Sequence, residues 1–412
     1  MFSTINSILS LLVSFGILSI GHGLNNNLLN IRSLIENYSE ITIGIMNSFY
    51  FLGFIIGVRI GSEYIHKVGP VRTFAALISI ISTISLIHAL VINPIIWIIL
   101  RLIYGICIAG AYVVIESLLN SLSGKENRGR ILSIYMIVNF SGLFLGQILL
   151  NRELVETFTL FAIVSILASI SIVPLILSKV RQPEYQDQET LSIKKLYKNS
   201  PLSIIGILAN AISASAFWSF GAIYMLKAGF VVEDAAFFFA ITLIGGLFFQ
   251  WPIGYISDKF DRRISILICS IITIFICLAI VISVNILKID FGYNILLLAL
   301  IFGGFSYPLY SLFISLSNDF LKSVSFVKAS SALLMINGVG SIFGPLLAAI
   351  FIFILDAPGL FWLIITINFT IFIIAFNEFR NGKKIPKATS DHFIATPKQT
   401  SALFNMDPRS EE

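Results

Sequence analysis

Gly254-Tyr255-Ile256-Ser257-Asp258-Lys259-Phe260-Asp261-Arg262-Arg263 gathers five charged side chains into ten residues, between two long runs that carry almost none. The run before it ends in Gln250-Trp251-Pro252-Ile253, and the run after it begins at Ile264. Such a knot reads as a short polar turn between two buried helices. A related stretch, Ser62-Glu63-Tyr64-Ile65-His66-Lys67-Val68-Gly69-Pro70-Val71-Arg72, separates two apolar runs in the first half. Aligning Gly69 with Asp261 sets the copies about 190 residues apart, close to half of the 412-residue chain, which is the mark of duplicated halves.

Composition identifies the solvent. With 57% hydrophobic and 12% charged residues and a mean hydropathy of +0.93, the chain cannot present a water-soluble surface all round. Its apolar runs are about twenty residues long, and each as a helix crosses the roughly 30 Å hydrocarbon layer. Backbone amides must be paired in lipid, and the short alternating strands of a barrel are absent, so the expected class is an all-α membrane protein. Cys107, Cys269 and Cys277 lie inside apolar runs without metal-ligand spacing and read as packing residues. The net charge of +5 is spread over loops rather than gathered in a stripe, so no nucleic-acid partner is expected. Met1 to Ile20 lacks a basic leader and reads as part of the first span rather than as a signal peptide.

Twelve spans follow. The first six are Ile5 to Leu28, Ile41 to Gly61, Thr73 to Ile92, Ile95 to Leu119, Ile131 to Leu150 and Phe158 to Leu177. The second six are Leu202 to Leu226, Ala235 to Ile256, Ile264 to Val284, Ile295 to Ser315, Ala329 to Phe353 and Gly359 to Phe376. They divide the chain into a bundle over 1–177, a polar linker over 178–200, a second bundle over 201–376 and a disordered tail over 377–412. With the N-terminus inside, the inside loops hold Lys67, Arg72, Lys125, Arg128, Arg130, five basic linker residues, Lys259, Arg262, Arg263, Lys322 and Lys328. The outside loops then hold only Arg32, Arg152, Lys227 and Lys288, so both termini are expected in the cytoplasm.

An ionisable side chain inside a span costs several kcal/mol unless it faces a cavity or a partner, which makes each one a functional candidate. In the fourth span Arg101, Gly105, Ala109, Tyr112 and Glu116 share one helix face, and Gly105 and Ala109 permit close approach of a neighbour. Arg101 and Glu116 are about 22 Å apart at 1.5 Å per residue and do not pair. Glu116 either meets Arg59 in a pair closing the cytoplasmic side, or caps a loop while Arg59 snorkels to headgroups. His22, Asn25 and Asn26 at the outer end of the first span suit a polar solute or a proton; interfacial capping is the alternative. Gln147, Trp218, Gln250, Tyr307, Tyr310 and Asn337 are further lining candidates, as are Asn210, Ser213 and Ser215, although interior faces of any helical bundle carry such residues. Gly338, Gly340, Gly344 and Pro345 make the eleventh span a candidate for bending or for close packing.

No nucleophile elbow, P-loop, zinc-ligand spacing or histidine cluster is present. Neither an enzyme nor a cofactor is expected, and an ATP-driven pump lacks its motif.

The pattern up to about residue 376 resembles the major facilitator superfamily. Gly254, Asp258, Lys259, Arg262 and Arg263 match its inner-loop signature, with Asp261 where glycine is usual. The first-half copy keeps Lys67, Gly69 and Arg72 and has His66 in place of the acid. Arg101 with Gly105 resembles the family's helix-four signature, whose arginine is often linked to proton coupling. Asn139 to Gln147 lacks the Gly-Pro of the drug-antiporter signature. Val113 to Asn120, Asn127 to Arg130, Gly146-Gln147, Gln250 to Gly254 and Tyr307 to Tyr310 look like the YcaD-like branch. The resemblance implies two six-helix bundles with pseudo-two-fold symmetry in a bacterial inner membrane. The expected function is that of a monomeric secondary transporter that moves a small organic solute by alternating access, with protons as coupling ion through His22, Arg101 and Glu116 and the lipid bilayer as its other partner. A membrane sensor or scaffold that binds without transporting is the alternative.

Overall fold

The computed structural model describes residues 2–123, 127–151, 154–178, 197, 200–320 and 326–381. Among these residues there is no strand, and twelve helical segments are long and apolar enough to cross a membrane. They fall into two compact units. The first holds α1 (Phe2–Ile35), α2 (Glu40–Val68), α3 (Pro70–Leu90), α4 (Pro94–Leu122), α5 (Arg128–Leu150) and α6 (Thr159–Ile176). The second holds α7 (Pro201–Lys227), α8 (Val232–Lys259), α9 (Arg262–Val281), α10 (Tyr293–Ser306), α11 (Pro308–Asn318), α12 (Phe326–Leu355) and α13 (Gly359–Asn381).

Short loops carry the residues that end helices. Asn93 caps α4 by accepting from the backbone N–H of Ile95 at 3.0 Å and Ile96 at 3.2 Å, with Pro94 in the first turn, where its missing N–H does no harm. The tenth span is broken in two because Pro308 has no N–H to continue the α10 ladder, so α11 starts afresh there. The ninth ends in a π turn, Ile282–Ile286.

Between helices in lipid there is little hydrophobic drive, and close backbone approach over small residues takes its place. A Cβ on Gly105 would collide with the Tyr50 carbonyl of α2, and one on Gly303 with the Thr242 carbonyl of α8. Gly142 and Gly146 of α5 press on Gly16 and Ile20 of α1, as Gly340 and Gly344 of α12 press on Leu208 and Ile212 of α7. Each bundle thus seats its second span on its fourth and its first on its fifth, the structural trace of the duplicated halves. The α12 glycines serve packing; the helix runs unbroken through Pro345.

Three helices outrun their expected ends by five residues or more; one is α2, which continues past Gly61 to Val68. Helix α1 continues past Leu28 to Ile35, because the amides that suggest a helix end are buried along it: Asn25, Asn26, Asn27 and Asn30 are at most 6% exposed. Helix α13 reaches Asn381, five residues beyond the expected Phe376. Most of the expected linker and the tail from residue 382 lie outside the described residues.

Candidate functional site

Helix α4 places Arg101 in the interior of the first bundle, where it is 0% exposed. Its Nη2 donates to Asn47 Oδ1 at 2.6 Å and to Asn26 Oδ1 at 3.4 Å. The guanidinium carbon lies 4.6 Å from the centre of the Tyr50 ring, whose π face attracts a cation. Nε and Nη1 have no hydrogen-bond partner, and none of the described ion pairs includes Arg101. Removing a guanidinium from water costs several kcal/mol even after relaxation. Here dipoles and a ring face offset part of that cost, and no carboxylate does.

The surroundings are built from α1 and α2. Asn47 donates to Asn30 Oδ1 at 2.8 Å and to the Ile43 carbonyl at 3.1 Å, which turns its own carbonyl oxygen toward Arg101. His22 bridges two phenols: Nδ1 lies 3.2 Å from Tyr104 Oη and Nε2 lies 3.4 Å from Tyr50 Oη. Asn25 is 1% exposed beside Tyr104, with neither amide atom in a hydrogen bond of ordinary geometry. His22, Asn25, Asn26 and Arg101 therefore come together. Asn47, Tyr50 and Tyr104 complete the cluster without having been singled out.

Glu116 sits near the other end of α4, also 0% exposed, and accepts from Tyr135 Oη of α5 at 2.5 Å. The expected pairing with Arg59 is not made. Gly57 and Gly61 face α4, so Arg59, two residues from each, points away from it and is exposed. Gln147 is a bolt between α5 and α1. Its Nε2 donates to the Gly23 carbonyl at 2.8 Å, and its Oε1 accepts from Asn27 at 2.7 Å.

The second bundle has no charged side chain midway along its spans. Trp218 and Tyr307 line a cavity with Asn210, Ser213, Phe217 and Phe302. Its volume of about 20 Å³ suits a water molecule rather than an organic solute. Trp218 packs edge-on to Phe239 at 5.1 Å. Gln250 donates to Ser311 Oγ at 3.0 Å, and Tyr310 and Asn337 are buried.

The two charged knots differ sharply. Between α8 and α9, Arg262 is 2% exposed and donates to Asp319 at 2.8 Å, Asp258 at 3.0 Å and Ser257 at 3.1 Å. Arg263 holds Asp261 at 2.7 Å and the Glu378 carbonyl at 2.7 Å, while Asp261 caps α9 through the Arg263 N–H at 2.9 Å. Gly254 is buried within α8, and Lys259 lies over the Tyr255 ring at 4.3 Å. Asp319, 57 residues beyond Arg262, gives no local sequence signal of its role. Between α2 and α3, His66, Lys67 and Arg72 are all exposed. Lys67 only approaches Glu63 at 4.0 Å. Gly69 closes α2 at φ +89°, a conformation side-chain-bearing residues avoid.

The family description that matches this chain is the Major Facilitator Superfamily, over residues 2–327. The uncharacterized MFS-type transporter YcaD of Escherichia coli O9:H4 (strain HS) is 25% identical over 354 residues, covering 85% of this chain and 90% of that protein. Among solved structures, a mutant of the nucleoside transporter NupG superposes with a TM-score of 0.75 at 15% identity, over 90% of this chain and all of that one. A bacterial homologue of the human lysosomal transporter Spinster, in an inward-facing and unoccupied conformation, gives 0.69 at 16% identity, over 90% of this chain and 95% of that one. These structural likenesses speak to the fold alone. The family match, over a fold of twelve apolar helices, makes this chain a multi-pass membrane solute transporter of the Major Facilitator Superfamily.

Proposed function

We propose that the protein is a secondary active transporter that carries a small organic solute across a bacterial inner membrane by alternating access, driven by the proton gradient, with both termini in the cytoplasm. One observation carries this reading: a fully buried guanidinium, ringed by amides and phenols and lacking an acid, in the middle of an apolar bundle. A merely structural helix has no use for such a group, since a well-packed apolar side chain would be as stable or more so. A bound solute must favour one conformational state over the other for coupling to arise, and a charge buried in the helix interior gives it a means to do so. His22, in contact with two phenols of the same cluster, supplies an imidazole as the candidate proton carrier. Arg59, exposed on α2, takes no part in this arrangement.

The test uses purified protein in liposomes loaded with a pH-sensitive dye and exposed to a metabolite library. At least one compound moves protons only when the protein is present. A solute whose uptake is unchanged after the proton gradient is collapsed removes proton coupling from the account. Binding without counterflow for every compound that binds makes the protein a sensor.

A further inference from the structure

Arg101 has five N–H donors, and the three on Nε and Nη1 meet no acceptor. The groups that touch it are amide oxygens and a ring face, which orient a guanidinium without neutralising it. Asn47 stands where an aspartate, differing by one atom, would supply the missing charge, and Asn25, Asn26 and Asn30 around it are amides as well. A second group lies alongside: Asn25 is buried beside Tyr104, one turn along α4 from Arg101, and neither of its amide atoms makes a hydrogen bond of ordinary geometry. Unused donors next to an uncompensated cation are complementary to an oxyanion. Such charge-assisted hydrogen bonds are roughly twice as strong as neutral ones.

Building on the transporter reading, we propose that the solute is an organic anion and that its carboxylate or phosphate oxygens bind Arg101, with Asn25 and Asn26 completing the site and Asn47 aiming the guanidinium. The solute supplies the counter-charge that the fold omits. A permanent acid at position 47 would supply that counter-charge itself and compete with the solute.

The experiment is thermal unfolding of the detergent-purified full chain, at constant ionic strength, with matched pairs: benzoate and benzamide, succinate and succinamide, glycerol 3-phosphate and glycerol. At least one anion raises the Tm saturably while its neutral partner does not, and the pair that responds separates carboxylate from phosphate. Arg101→Gln weakens that response about 10- to 100-fold. Asn47→Asp sets a carboxylate against Arg101 and lowers the response to the anion, a result available even if Arg101→Gln fails to fold. Equal stabilisation by neutral partners, no response to any of the three anions, or an undiminished response in Arg101→Gln or in Asn47→Asp each overturns the proposal. Binding is read here without transport. Anion binding with no counterflow thus removes only the transporter reading, and counterflow of a neutral solute unaffected by Arg101→Gln removes only the anion site.

Discussion

The two bundles share a helix-packing plan and place their charge in opposite ways. In the first, charge is in the interior: Arg101 and Glu116 are wholly buried in α4, while His66, Lys67 and Arg72 of the turn between α2 and α3 are exposed. In the second, the spans are uncharged midway, and the buried charge sits in the turn between α8 and α9, with Arg262 and Arg263 tied to acids and to a helix-end carbonyl. The aligned positions explain the contrast. Asp258, Arg262 and Arg263 correspond to His66, Pro70 and Val71, so the first turn has neither the acid nor the two arginines that make the lock. On the proposed reading, the first bundle carries the solute handle and the second the charged lock.

The largest expected effect lies in the lock. Removing one partner of a buried ion pair costs about 3 kcal/mol or more, so Arg262→Ala should lower unfolding stability by that amount. Arg72→Ala in the exposed first turn should stay within about 0.5 kcal/mol. Comparable losses in denaturant titrations of the two variants would break the division of labour. Next comes the handle: Asn47→Ala deletes the shortest hydrogen bond to Arg101 and should cost about 2 kcal/mol, the usual range for bonds to a charged group. No change in unfolding midpoint would mean that Asn47 does not hold the guanidinium.

What the sequence made legible follows from these same residues. Length and apolarity determined the number of spans, and Gly105 on α4 announced a close helix contact, because both signals are local. Arg101 stood out as a charge in an apolar run. Its partner did not, since Asn47 is 54 residues away on another helix and one amide in such a run carries little weight. The amides of α1 looked like a helix end because asparagine favours caps; only Gln147 and Asn47 on neighbouring helices make them buried interior residues. Arg59 and Glu116 were matched by depth alone, whereas the glycines flanking Arg59 already turn it away from α4.

Smaller effects sharpen the contrast between the turns. Gly69→Ala places a side chain at φ +89° and should cost about 1–3 kcal/mol. Asn93→Ala, which removes the α4 cap, should cost about 1 kcal/mol. Thermal scans that rank Asn93→Ala well above Gly69→Ala would show that the first turn depends less on backbone geometry than its glycine suggests. Lys67→Ala should fall within about 0.5 kcal/mol, as its contact with Glu63 is solvent-exposed; a clear drop in Tm would reveal a lock in the first turn after all.

The most direct trial of the whole account is counterflow. Proteoliposomes are preloaded with the organic anion that best stabilises the purified protein, and the same anion is supplied outside in labelled form. The account predicts a transient accumulation of label above that in protein-free liposomes, lost in Arg101→Gln. Label that never rises above the protein-free level, although the anion binds, would contradict it.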